Sequence, residues 1–573
     1  MSFDSTNRES LRNKAIAIHM QGDLNEAETQ YLAFLKLYPK DTECLHFLGV
    51  LNCQKGNISE GIIWIKKAIE FNPNFSEAYF NLGKAHKDLG NLTDAVIAFQ
   101  KAVSINPNYY EGFNNLGIAL EETGDDKAAL NAFSKTIRIN PSFSEGHFNL
   151  ANSLGKIGRE KNAIHHYRQA IELEPQFSEA YYNLAKTLEN IGHEEEALEN
   201  YNHSLNGRPD FAQAWNASAL LLKKLGQIDA AIENFQKALS IDPNFFLAFN
   251  NIGNALRDKG ILNEAFECYE TALKINPEYA DCYYNLGIAF IDDDQQEKAI
   301  KAFRQATIIN PNHVDAFCNL GTTFIRLGKK DDAIKACKKV LNLSPNNSTA
   351  RHMLSALEED KPDSAPPDFV EELFDKYAVR FENHLINKLA YQTPTELRAK
   401  WDSLKEPPFD HLLDLGCGTG LAGLEFHDVS KKITGVDISS AMLEKAKEKS
   451  IYFHLVKSEL VEFFSTDKNK YDGFTAADTL IYFGNLEQVF AGVNSLSKAG
   501  AYFIFSIELS NNENFILHLN GRFSHSDSYI QFLAQKYSFT TLLNQQTTLR
   551  KENKLNVPGR IYVLKAGNNN HNP

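Results

Sequence analysis

This sequence has no apolar run long enough to span a membrane. Its first residues, MSFDSTNRESLRNK, carry no signal-peptide core. Both absences lead us to expect a cytoplasmic protein with no membrane partner. Disulfide and zinc frameworks are missing as well. The seven cysteines (Cys44, Cys53, Cys268, Cys282, Cys318, Cys337 and Cys417) are odd in number and widely scattered, so they read as reduced thiols, and no metal is expected. Nor is there a basic stripe. Net charge is −14, and from Asp368 onward 25 acidic residues face 22 basic ones, so about −11 of it precedes that point. That balance argues against nucleic acid as the main partner. At 573 residues the chain is too long for a single core, and at least two domains are expected.

What the sequence does have is a period. Pro39, Pro73, Pro107, Pro141, Pro175, Pro209, Pro243, Pro277, Pro311 and Pro345 stand 34 residues apart. Between them recur a small residue (Gly83, Gly117, Ala151), an alanine (Ala95, Ala129, Ala163) and an aromatic (Phe99, Phe133, Tyr167). Small residues let two helices approach and the aromatic fills the gap. Glycines such as Gly90, Gly124, Gly158 and Gly192 mark a turn between helices, and proline ends the second helix. The pattern closely resembles the tetratricopeptide repeat, a helix–turn–helix unit. It implies an all-α solenoid of ten repeats over residues 8–347. Ala350, Met353, Leu354 and Leu357 then predict a capping helix over 348–358. The polar, proline-bearing stretch 359–367 reads as a stiff linker.

Two residues before the small position stand Asn81, Asn115, Asn149, Asn183, Asn251, Asn285 and Asn319. In the repeat family this position faces the concave surface. A row of amides there can hold an extended peptide by its backbone, and it resembles the asparagine ladder in the repeats of O-linked N-acetylglucosamine transferases. Inter-repeat hydrogen bonding would also account for the row, and both readings stay open. The roughly 200 residues after the array are too few for the two nucleotide-binding domains of a glycosyltransferase.

From residue 368 the pattern changes to apolar strands alternating with helices. Strands are expected at 411–417, 433–438, 453–457, 471–477, 501–507, 539–547 and 560–565, an α/β doubly wound, Rossmann-like sheet of seven strands. The domain is expected over 368–566, with a disordered tail at 567–573. The first strand leads into Asp414-Leu-Gly416-Cys417-Gly418-Thr419-Gly420, and the second ends at Asp437-Ile438, about 20 residues on. A glycine loop after a strand admits a ligand to the backbone, and a carboxylate at the end of the next strand can take both hydroxyls of a ribose. Together D-L-G-C-G-T-G and G-V-D-I-S-S-A-M-L-E-K-A strongly resemble motifs I and II of class I S-adenosylmethionine-dependent methyltransferases. The whole chain resembles a bacterial group of predicted methyltransferases that carry tetratricopeptide repeats.

The resemblance implies S-adenosyl-L-methionine as cofactor. It places Gly416, Gly418 and Gly420 against the methionine part, Asp414 near its amino group and Asp437 on the ribose. Cys417, Thr419, Ile438 and Met442 lie in the same motifs. Ser458 and Glu459 fall near the adenine, Asp478 on the sulfonium side, and Tyr377 in a segment resembling the family's N-terminal lid. Three residues could face the transferred methyl group: Tyr482, Arg522 and His525. His525 is the best base by residue type. No Asn-Pro-Pro-Tyr follows the fourth strand, which argues against transfer to adenine or glutamine amide. The leading reading is a methyltransferase whose array recruits a protein or peptide on its concave surface, the acceptor of the methyl group. A small-molecule methyltransferase that uses the array for assembly, and a non-enzymatic scaffold with an inactive fold, are the alternatives.

Overall fold

The computed structural model describes residues 2–378, 381–382, 391–511, 514–552 and 555–567. The lid segment beyond residue 378 therefore lies largely outside the described residues, as does the tail from 568. Two compact units emerge, Met1–Pro277 and Glu278–Pro573.

In the first unit helices alternate in pairs, as in Ser76–Asp88 followed by Leu92–Ile105. Gly90 between them has φ 75°, a left-handed backbone that costs a glycine little. The small residue and the aromatic are mutually dependent. A Cβ built on Gly117 would stand 2.5 Å from the Phe133 ring, which is fully buried. Large side chains on the first helix would therefore force the pair apart.

In the second unit the helix pairs run on to Lys330–Leu343, followed by the capping helix Ser348–Glu358. Leu357 of that helix is buried in one cluster with Phe303, Phe324 and Cys337. The stretch 359–367 is no free tether. Asp363 O accepts the N–H groups of Gly484 and Asn485, and Ala365 N donates to Tyr482 O, each at 2.8 Å. The strap then enters the helix Pro367–Tyr377, with proline at its first turn.

Among the described residues the α/β part holds nine strands: β1 Leu412–Leu415, β2 Ile433–Asp437, β3 His454–Lys457, β4 Tyr471–Ala476, β5 Ser497–Leu509, β6 Phe515–Leu517, β7 Phe523–His525, β8 Phe539–Glu552 and β9 Leu555–Ala566. Order β3-β2-β1-β4-β5 is parallel, β9 adds antiparallel to β5, and β8 adds antiparallel to β9. This is two strands more than expected. The added hairpin β6–β7 has three residues per strand, too few to show a period in the sequence. Its place follows from register. β4 pairs with β5 only as far as Ala476 and Phe505, whereas β5 runs on and pairs Glu508 and Leu509 with Ser524 and His525. Gly559 of β9 already occupies the other edge of Glu508. The hairpin thus lies beyond the carboxyl end of β4, where open α/β sheets bind ligands.

Candidate active site

A cavity of about 1200 Å³ opens at the carboxyl ends of β1, β2 and β4. It exceeds the ~1,000 Å³ upper range for a single small ligand. One half is built by the loops after β1 and β2. Gly416 and Gly418 line it with φ of 64° and 54°. A Cβ on Gly418 would meet nothing nearer than the Phe381 ring at 4.0 Å, so the missing side chain leaves the loop backbone open to the cavity. Asp437 lines the same half. Its Oδ2 accepts from Gly418 N at 2.8 Å and its Oδ1 from Ser439 N at 2.9 Å. Each oxygen keeps a further lone pair. Burial raises its pKa, against the pull of those N–H groups.

Asp414, at the end of β1, is almost wholly buried. Its Oδ2 accepts from Tyr452 Oη at 2.7 Å, and its Oδ1 is buried with no partner. Burial pushes its carboxyl up to about 7. A cationic group beside that oxygen would reverse the shift. An orphaned carboxylate oxygen, an open glycine loop and a carboxylate at the second strand together fit a ligand with an amino group at one end and a vicinal diol at the other.

Of the other expected cofactor residues, Ile438, Ser458, Glu459, Asp478 and Tyr377 line the cavity. Asp414, Cys417, Thr419, Gly420 and Met442 are not among its lining. Met442 is fully buried, and Cys417 and Thr419 nearly so, beneath the loop and in the helix behind it.

The second half of the cavity comes from distant segments: Ser364 and Ala365 of the strap, Phe374 and Tyr377, Tyr391, Tyr482, Arg522 and Arg550. Phe374 packs edge-on against Tyr482 at 5.4 Å. Asp478, with a left-handed φ of 52°, joins the two halves. Its Oδ1 accepts from Ser506 Oγ at 2.9 Å and its Oδ2 from Arg550 Nη1 at 3.0 Å. Arg550, 3% exposed, also donates to Glu508. A strained backbone held by a buried ion pair marks a place that the surrounding structure fixes deliberately. Sequence reasoning missed Tyr391, Ser506, Glu508 and Arg550.

The three expected catalytic residues separate. Tyr482 and Arg522 line the cavity, and His525 does not. The His525 ring is fully buried, with Nε2 donating to the carbonyls of Phe483 and Gly484 at 2.8 and 3.1 Å. Burial lowers its pKa to about 4. This histidine fastens the turn that carries Tyr482, so the base expected there is corrected to a structural role.

The asparagine row is half-buried. Asn149 donates to Asn114 Oδ1 at 3.0 Å, Asn183 to Asn152 Oδ1 at 2.9 Å and Asn251 to Asn216 Oδ1 at 3.0 Å. Asn81 pairs with His46 Nε2, and Asn319 donates to Tyr284 Oη. Each of these amides spends one N–H on the preceding repeat. Asn115 donates instead to Glu111 O in its own helix, and Asn285 is half-buried like the rest. A second N–H and the amide oxygen are what such a side chain can still offer a ligand.

Comparison with known families separates the repeats from the α/β part. Tetratricopeptide-repeat profiles match at 76–109, 98–131, 144–177, 166–199, 280–313 and 314–347, with a further repeat profile at 219–260 and 253–294. A methyltransferase-domain profile matches 409–548. The chain is a fusion of tetratricopeptide repeats with a methyltransferase domain. No curated protein matches it. Among solved structures it is similar to YrrB, described as a TPR protein with an unusual peptide-binding site (26% identity, 33% of this chain and 96% of that one, TM-score 0.29). It is also similar to MamA (27%, 29% and 97%, TM-score 0.28) and to yeast Tom70 (15%, 66% and 91%, TM-score 0.34). The matched methyltransferase residues supply Gly416, Gly418, Asp437, Asp478, Tyr482 and Arg522 of the cavity, and the strap, the helix after it, Tyr391 and Arg550 lie outside the match.

Proposed function

We propose that the methyltransferase domain uses S-adenosyl-L-methionine, and that the repeats recruit the protein or peptide that accepts the methyl group. The observation that carries this reading is the glycine loop open to the cavity beside Asp437. The free lone pairs of Asp437 suit the ribose hydroxyls, and the buried Asp414 Oδ1, which lacks a partner, suits the ammonium of the methionine part. Ser458 and Glu459 border the adenine side, and Ala477, Asp478 and Thr479 the sulfonium side. When bound, the cofactor supplies a methyl group activated for displacement by an in-line nucleophile. The chain aligns that nucleophile and excludes water. Tyr377, Tyr391 and Tyr482 wall the acceptor side. Asp478 offers an acceptor N–H or O–H the lone pairs that Ser506 and Arg550 leave free.

The inter-repeat use of the asparagine row favours a second reading, in which the array serves assembly and the acceptor is a small molecule. Full-length protein incubated with methyl-labelled S-adenosyl-L-methionine and lysate from cells lacking the gene distinguishes them. We expect label in a few proteins. Label confined to the small-molecule fraction selects the second reading, and no label at all leaves a scaffold.

A further inference from the structure

The acceptor half of the cavity is tied to the capping helix at one point. His352 of that helix is 2% exposed, and its Nε2 donates to Gly521 O at 2.8 Å across 169 positions of sequence. Its ring packs on Phe369 at 4.8 Å and Phe523 at 6.1 Å. Ala356, Ala365, Phe369, Leu517 and Phe523 complete one apolar cluster, so helix, strap and hairpin share a core. Gly521 sits in the β6–β7 turn with φ 80°. A Cβ there would lie 3.4 Å from both His352 and Phe369. The next residue is Arg522, which lines the cavity and stands 3.8 Å from Glu508. The turn is closed by His518 N donating to Arg522 O at 2.8 Å and Gly521 N donating to His518 O at 2.9 Å. On the other side of Tyr482, the strap bonds along residues 482–485, whose carbonyls at Phe483 and Gly484 His525 holds.

We infer that His352 is a positioning residue for the methyl transfer proposed above: by fixing the β6–β7 turn and the strap it holds Arg522 and Tyr482 at the acceptor side. It touches neither the cofactor half nor any reacting atom. Its ring acts neutral, through one N–H to a carbonyl, and burial keeps its pKa low. The end of the array thereby braces, from behind, the wall against which an acceptor is held. The inference rests on the methyltransferase reading.

The test uses the full chain. His352→Ala should bind S-adenosyl-L-methionine with a Kd within about twofold of the unmodified protein, yet label lysate acceptors at least roughly tenfold more slowly at saturating cofactor, about 1.4 kcal/mol in the barrier. His352→Gln, which restores an N–H near the Nε2 position, should recover most of the rate; a role in packing alone predicts no such rescue. Gly521→Ala, strained at its positive φ, should behave as His352→Ala does. Hydrogen exchange should quicken in residues 482–485 and 518–522 of His352→Ala and stay unchanged in 412–420. A wild-type rate in His352→Ala, or equal loss of cofactor affinity, overturns the inference. An unmodified chain that transfers nothing removes the methyltransferase reading itself, while unchanged exchange at 482–485 and 518–522 refutes the coupling on its own.

Discussion

The two halves of the cavity are built in opposite ways. The half to which we assign the cofactor comes mostly from one run of chain, β1 to the start of the helix after β2, and presents the glycine-loop backbone and the Asp437 carboxylate. The acceptor half gathers side chains from the strap, the helix Pro367–Tyr377, the β6–β7 hairpin and β8. The first half depends on local geometry that a short motif can encode. The second depends on tertiary contacts among segments separated by up to about 190 positions, so it can vary without disturbing the first. That division suits an enzyme class in which one cofactor serves many acceptors.

Replacing Arg550 should break the acceptor half most severely. Arg550→Met leaves Asp478 buried without its cation and Glu508 with only the more distant Arg522, and losing one partner of a buried pair costs about 3–5 kcal/mol. Chemical denaturation should show that loss. A change under about 1 kcal/mol would mean that water already screens the network.

Asp414 probes the cofactor half by pH. Its folded carboxyl is raised to about 7 by burial, above the ~3.9 of an unfolded aspartate. The folded chain therefore holds its proton between those values, so its contribution to stability is fully present below about 3.9 and is lost as pH rises through about 7. An ammonium ligand needs the ionised form. Affinity for S-adenosyl-L-methionine should rise by up to roughly tenfold per pH unit from pH 5 to 7, with proton release seen by calorimetry in two buffers. Asp414→Asn should bind weakly with a flat profile, and a flat profile in the unmodified protein would place the ammonium elsewhere.

The array provides the contrast to both halves, and the smallest effect. Changing Asn115, Asn149 and Asn183 together to alanine removes two inter-repeat bonds, each worth about 1 kcal/mol or less where half-exposed. Helix content should hold, since alanine is the better helix former. Cofactor affinity should not change, and protein labelling in lysate should fall. Unchanged labelling would make the row structural.

This contrast also explains what the sequence disclosed. The repeats and the glycine loop are legible because each position is dictated by neighbours a few residues away: Gly117 by Phe133, Gly418 by the loop's own φ. The strand expected at 539–547 stops short of Thr548-Leu-Arg-Lys-Glu. The structure pairs that stretch with the start of β9 and buries Arg550 against carboxylates that arrive from β4 and β5. His525 reads as a base by type, but only its burial under two carbonyls reveals a fastener. The strap at 359–367 reads as a stiff linker, and its docking on residues 482–485 is made mostly by backbone groups, which composition does not report. Met442 belongs to a recognisable motif yet faces the core, since a helix has only one side toward the ligand.

The central claim is that this cavity binds S-adenosyl-L-methionine through Asp437. Calorimetric titration of the cofactor into the full chain and into Asp437→Ala tests it directly. Hydrogen bonds to a charged group are worth roughly 1.5–3 kcal/mol each. We expect one site per chain, with affinity at least about tenfold weaker in the variant, or 1.4 kcal/mol. Equal affinity in the two proteins, or no binding to the unmodified chain, would contradict the account.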